Sequence, residues 1–324
     1  MAAGQPARKG KGEKMGTIGE EIINRLIEHE GKHIRIAFCP YKYSMWDSME
    51  SVWIAARAAG LAVSIIPLDY QTFPDGEWHN EREHFPQPTG HIDDIIKRDY
   101  DIIVIHYPYD GNNNVTKLRS NAWTCTLKLY GKVMYIPYHG NIAGDEWSRF
   151  FTQPGARLSD YIVLGSDMDV QTFYRENIGY QGKVIQVDNS PKADAPKIHA
   201  NDPLPEEWEA LQKPITVIIG TLWTFTHNPL DRMQKHGQLI ERELAAGHGV
   251  IYRPHPLVYY AIEVMRPEMA AAYNDFLDEI RALGAIVDDG PNLHRTLAAA
   301  DKIFTDPSSV IKTIHGSRDY EVIE

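Results

Sequence analysis

Four short segments carry residue types suited to a phosphorylated substrate, and each directly follows a run of apolar, β-prone residues. Arg253-Pro254-His255-Pro256 sets a guanidinium and an imidazole among prolines. Such a stiff pair of donors suits a diphosphate whose oxygens gain charge as a nucleotide departs. Asp306-Pro307-Ser308-Ser309-Val310 puts two hydroxyls at the start of an apolar helical pattern that continues through Ile311 and Ile314. Unpaired helix N–H groups and the helix dipole favour a phosphate there, and the same spacing equally describes a plain capped helix. Tyr138-His139-Gly140 offers His139, an imidazole of the type that serves as general base toward a hydroxyl or as a structural histidine. The stretch from Pro40 to Asp47 (PYKYSMWD) holds Lys42, Ser44, Trp46 and Asp47, a set fitted to acceptor contacts or to packing.

Elements at fixed places must hold these segments, and the hydrophobic pattern supplies them. Thr17 and Glu20 form a capping-box signature, Ile22, Ile23, Leu26 and Ile27 mark one helical face, and Gly31 ends it. His33 to Cys39 then reads as a strand, Asp47 as the cap of a helix through Ala59, and Leu61 to Leu68 as the next strand. Nearly continuous apolar runs at Asp101 to Ile105, Lys132 to Ile136, Tyr161 to Leu164 and Lys183 to Val187 suit strands buried on both faces of a parallel sheet. Pro74 to Gly90, polar, aromatic and interrupted by proline, reads as a long surface insertion.

Between Asn189 and Pro214 five prolines break the pattern except around Glu206 to Leu211, and this marks a boundary. Beyond it strands are expected at Ile215 to Gly220, Gly249 to Tyr252, Ala285 to Val287 and Lys302 to Thr305. Helices fall near Pro229 to Ala246, Glu268 to Leu283 and Leu293 to Ala300. The expected architecture is α/β: two Rossmann-like, doubly wound parallel-sheet domains, 16–195 and 206–324, after a basic tail over 1–15. In such sheets ligands lie beyond the carboxyl ends of the strands, where the four segments fall.

Composition narrows the partners. A length of 324 residues with 43% hydrophobic and 24% charged residues suits two globular domains. A net charge of -11 without a basic stripe argues against nucleic acid, and no apolar run is long enough to span a bilayer. Cys39 and Cys125 stand apart in apolar segments, which fits a reducing, cytoplasmic setting. His79 and His84 lack ligand partners at metal-binding spacing, so no metal is expected, and neither a Walker loop nor a GxGxxG is present.

In order and approximate spacing, YHG (Tyr138 to Gly140), SPKAD (Ser190 to Asp194), RPHP (Arg253 to Pro256) and FTDPSSV (Phe304 to Val310) resemble the CDP-glycerol glycerophosphotransferases of teichoic-acid synthesis. Runs such as HYPYDGNNNVT (His106 to Thr116) are similar to those of a bacterial subgroup of that family. The resemblance implies a GT-B fold and a transferase that moves glycerol phosphate from CDP-glycerol to a hydroxyl of a cell-wall or surface polymer, releasing CMP. It implies His139 as the base, and His255 with Ser308 and Ser309 as binders of the diphosphate. Asp306 comes with the motif, and charge adds Arg253. Lys42, Ser44, Trp46 and Asp47 are assigned to the acceptor side. No cofactor is implied, CDP-glycerol being the donor substrate. The acceptor would be a glycan or polyol phosphate, lipid-linked acceptors being met by peripheral contact at the inner face of the cell membrane. Alternatives are a GT-B nucleotide-sugar glycosyltransferase or epimerase, and a non-catalytic nucleotide-binding scaffold. Asn141 to Asp145 depart from the family's usual Pro and Lys after HG, which implies different acceptor use, and the family continues well past the SSV helix, which implies either an incomplete sequence or an abridged second domain.

Overall fold

The computed structural model describes residues 16–72, 76–87, 90–139, 145–308, 310–311 and 320–323. The basic tail and Ser309 lie outside the described residues. Helix α1 (Ile18–Glu30) starts at the expected capping box: the Glu20 N–H donates to Thr17 Oγ1 at 3.1 Å and the Thr17 N–H to Glu20 Oε2 at 2.8 Å. Its Ile22, Ile23 and Leu26 are buried, and Gly31 ends it at φ 89°, where a Cβ would be strained.

The first sheet is built from β1 (Arg35–Cys39), β2 (Ala62–Ile65), β5 (Ile102–Ile105), β7 (Lys132–Tyr135), β8 (Tyr161–Leu164) and β9 (Lys183–Gln186), all parallel, in the order β2-β1-β5-β7-β8-β9. Alternate residues enter two separate cores. Ala37, Cys39, Ile103, Ile105, Val133 and Tyr135 lie in one, and Ile36, Phe38, Ile102, Val104, Met134 and Ile136 in the other. Burial on both faces is why the inner strands β1, β5, β7 and β8 are nearly uninterrupted apolar runs, each large side chain contributing about 1.5–3 kcal/mol, whereas the edge strands β2 and β9 are only partly buried, contrary to the expectation for Lys183 to Val187.

The second sheet comprises β10 (Ile215–Ile219), β11 (Gly249–Arg253), β12 (Ile286–Val287), β13 (Lys302–Thr305) and β14 (Glu321–Val322), again parallel, ordered β12-β11-β10-β13-β14. In each sheet the order reverses about one strand, β1 in the first and β10 in the second. The carboxyl ends of β1 and β5, and of β10 and β13, are therefore the two switch points where such folds receive ligands.

Two expectations need correction. The region read as a surface insertion contributes β4 (Trp78–His79), which pairs antiparallel with β3 (Tyr70–Thr72), itself paired with β6 (Thr116–Leu118). Phe85 of the same stretch is buried beside Trp46, with ring centroids 5.7 Å apart. Asp47 does not cap the following helix. Tyr43–Ser48 forms a short 3₁₀ turn, and helix α2 (Glu50–Ala58) begins after Met49 without a side-chain cap. Among the described residues no helix is long and apolar enough to cross a membrane.

Candidate functional site at the facing switch points

The loop after β1 is fixed by a histidine that directly follows β5. The Tyr41 N–H donates to His106 Nε2 at 3.1 Å, so the ring proton sits on Nδ1, 3.1 Å from the Met45 carbonyl. Complete burial lowers the His106 pKa to about 4, so it serves as a neutral two-ended clamp. The clamp sets the start of the loop at Pro40 to Ser44. Lys42 is buried there, with Nζ 3.7 Å from Glu81 Oε1, 4.9 Å from the Tyr70 ring centroid and 5.9 Å from that of Tyr260. Burial lowers its pKa, and the adjacent Glu81 carboxylate opposes that shift. Tyr260 belongs to helix α5 (Val258–Met265) of the second half, counting α3 (Asp167–Glu176) and α4 (Pro229–Ala245) between. Lys42 therefore lies where the two halves meet.

The other acceptor-side expectations fare differently. Ser44 is half-buried in the 3₁₀ turn. Trp46 is only 1% exposed and packs edge-on against Phe38 and Trp53 at 6.5 and 6.0 Å, which leaves no face for an acceptor. Asp47 is buried too. Its Oδ2 lies 3.2 Å from Lys192 Nζ and 2.9 Å from His294 Nε2, so it ties three segments of the chain together and faces no acceptor. Burial would raise its pKa, but Lys192 and His294 outweigh that and hold it below the usual carboxylate range.

In the second half, Arg253 is turned to structural use. It is 3% exposed, its guanidinium pairing with Asp288 and donating to Thr296 Oγ1 at 3.1 Å and the Gly290 carbonyl at 2.7 Å. Asp306 is fully buried at the end of β13. Its Oδ2 accepts the Thr221 N–H at 3.0 Å, while Oδ1 meets His236 Nε2 at 3.0 Å and Arg232 at 3.4 Å. With no exposed surface, the Asp306 side chain braces the switch point and does not present itself to a ligand. Beside it Gly220 has no room for a side chain, since a Cβ would lie 2.8 Å from the Tyr252 hydroxyl and 2.9 Å from the Phe225 ring. Ser308 Oγ accepts the Val310 N–H at 3.2 Å, the local cap that its spacing also allowed.

His255 follows β11 at the mouth of the second half, its Nδ1 accepting the Leu257 N–H at 3.1 Å. The ring is part accessible, yet it is hemmed in by both halves. Burial, then the charges of Lys42, Lys192 and Arg253, lower its pKa to about 4. Those four groups come from the loop after β1, the inter-sheet segment and β11 with its following loop, and each of the three cations has a carboxylate partner, Glu81, Asp47 and Asp288 in turn. Lys192 had no role assigned from sequence, although the SPKAD run that contains it stood out. His139 lies at the carboxyl end of β7, half-buried, with Nε2 3.5 Å from the Tyr135 hydroxyl and its ring 4.4 Å from that of Phe150. Gly140 lies outside the described residues. Among those described, no cluster of three or more His, Cys, Asp and Glu is arranged to hold a metal.

No family model matches the chain, and no curated protein sequence matches it. Solved structures do. The chain is similar to the UDP-GlcNAc 2-epimerase of Methanocaldococcus jannaschii, solved with UDP-GlcNAc and UDP, with a TM-score of 0.56 at 12% identity over 90% of this chain and 89% of that one. It is also similar to S. aureus MnaA, solved with UDP, with a TM-score of 0.51 at 12% identity over 86% of this chain and 76% of that one. At these identities the likeness is one of fold: the chain has a GT-B fold of two Rossmann-like domains.

Proposed function

We propose that the protein is an enzyme that binds a nucleoside-diphosphate-linked donor between its two halves and promotes departure of the nucleotide. The observation that carries this reading is the convergence of Lys42, Lys192 and Arg253 on His255, whose pKa their charges help to depress. A diphosphate entering that region meets cationic groups of both domains, and the imidazole, whose Nδ1 accepts the Leu257 N–H, takes up a proton there by displacing that contact as negative charge arrives. The site lies beyond the carboxyl ends of the strands, where a GT-B fold receives its nucleotide.

Two donor classes fit. CDP-glycerol is supported by the ordered segments YHG, SPKAD, RPHP and FTDPSSV. In that reaction an acceptor hydroxyl passes its proton to His139, its oxygen bonds to the glycerol-bearing phosphorus, and the P–O bond to CMP breaks, CMP keeping the electron pair. A UDP sugar is the reading that the solved structures of this fold favour, two of them holding UDP or UDP-GlcNAc. In that case an acceptor oxygen, losing its proton to a base, bonds to the anomeric carbon of the sugar, the bond from that carbon to the β-phosphate oxygen breaks, and UDP departs with the electron pair.

Calorimetric titration with CDP-glycerol, UDP-GlcNAc and CDP-ribitol, on the intact chain and on a His255→Ala, Ser309→Ala variant, tests the proposal. Binding of one donor that is lost in the variant supports it and selects the donor class. Absence of binding to all three overturns it.

A further inference from the structure

We propose that Glu81 is a positioning residue that reaches in from the antiparallel insertion and aims Lys42 at the phosphates of the donor. The inference rests on the donor-binding reading above and goes beyond it by giving the insertion a task. Glu81 is held on two sides: its Oε1 accepts the Tyr70 hydroxyl at 2.5 Å and its Oε2 accepts the Tyr43 N–H at 2.7 Å. The first partner lies on β3 and the second in the loop after β1, so this one carboxylate fastens the small sheet to the switch point. Lys42 Nζ is 3.7 Å from the same Oε1.

A lysine with only 8% of its side chain exposed has little solvent to keep it charged or oriented. The charged or titratable groups that face Lys42 are Glu81 from the insertion, Tyr70 from β3, and Tyr260 and His255 from the second half. Of these only Glu81 carries a negative charge near neutrality. With Glu81 in place, the ammonium stays ionised and is held at the edge of the first half, where it acts on His255 across the cleft. Without it, Lys42 loses both the fixed partner and part of its preference for the charged form.

The test is the dissociation constant of CDP-glycerol and of UDP-GlcNAc across the neutral to alkaline range, for wild type, Glu81→Gln, Lys42→Met and the double variant. Glu81→Gln is expected to weaken binding about tenfold near neutrality, the scale of one misaimed charge-assisted contact. Its alkaline loss of binding should also begin at lower pH than in wild type, because Lys42 deprotonates earlier. In the Lys42→Met background, Glu81→Gln should have no further effect. If Glu81→Gln does not fold, Glu81→Asp keeps the charge and should give an intermediate loss. Wild-type affinity and pH profile in a folded Glu81→Gln protein overturns the inference while leaving the functional reading intact. So does a loss that persists undiminished without Lys42. Failure of wild type to bind either donor overturns both.

Discussion

Asp47 and His294, 247 residues apart in the chain, meet at 2.9 Å between Oδ2 and Nε2 and join the first half of the protein to the second. Asp47 also holds Lys192 of the connecting segment at 3.2 Å. Nearby, the His199 ring stacks on that of His294 at 5.4 Å and is gripped by Glu50 and Asp202, each at 2.7 Å. Asp202 accepts from Asn292 at 3.1 Å, and Asn292 caps helix α7 (Leu293–Ala299), which carries His294, α6 being Ala270–Ala282. The result is a ring of polar contacts that returns to its starting helix. Replacing Asp47 by Ala leaves the half-buried Lys192 and the buried His294 without their shared anion. It should cost about 3–5 kcal/mol in urea unfolding, the scale for breaking one side of a buried pair.

His199 gives that ring a pH signature. Burial works against its charge, but Glu50 and then Asp202 outweigh it and lift its pKa to about 9. A histidine whose folded pKa exceeds its unfolded value binds more protons when folded. Its contribution is therefore complete below about pH 6.5, the unfolded value, and is lost as pH rises toward about 9. Denaturation midpoints should fall across that window in wild type. In His199→Gln the fall should be smaller.

His106 and His255 act in the opposite sense. Both are held neutral, with pKa values of about 4, by burial first of all. The unfolded chain binds more protons than the folded one between about 4 and 6.5, so stability rises with pH there. His106→Gln should lower stability at neutral pH, because the Tyr41 N–H loses its acceptor, and should flatten the acidic slope. A slope unchanged in that variant would show that His106 is not held neutral in the fold.

How much of this was legible beforehand depends on the range of each interaction. The inner strands of both parallel sheets stood out because burial on two faces writes a continuous apolar run, as in Tyr161 to Leu164, observed with those same bounds, whereas the exposed edge strand β14 was not expected. The β3-β4-β6 sheet did not stand out. Its strands are two or three residues long, and one face carries Gln71, Trp78 and Lys117, so no apolar period forms. Arg253 and Asp47 were read as ligand contacts because their partners, Asp288 and His294, are local to neither motif. His106 and Lys192 gained meaning only when the folded chain brought Tyr41 and His255 beside them.

Trp46 gives a direct check of core against acceptor role. Its ring lies among Phe38, Trp53 and Phe85 in the same core as Ile36 and Val104. Trp46→Ala should therefore cost about 3–5 kcal/mol of stability. Trp46→Phe, milder in volume, should leave donor affinity unchanged. A selective rise in the acceptor KM with unaltered unfolding would return Trp46 to the acceptor side.

Donor binding should be coupled to a proton through His255. In the free protein Lys42, Lys192 and Arg253 add to burial in holding the ring neutral. A diphosphate diester brings negative charge into the same region and cancels part of that repulsion, so the imidazole's pKa rises on binding. A group that binds protons more tightly in the complex makes affinity increase as pH falls. Below about pH 6.5, the bound donor should thus be held more tightly while His106 and His255 make the empty fold less stable. Calorimetry in buffers of different ionisation enthalpy reads the linked proton directly. Uptake near pH 5.5 in wild type, abolished in His255→Ala, is the expected outcome. Binding without proton uptake would mean that the phosphates lie away from His255 and that the cationic groups around it serve the fold alone.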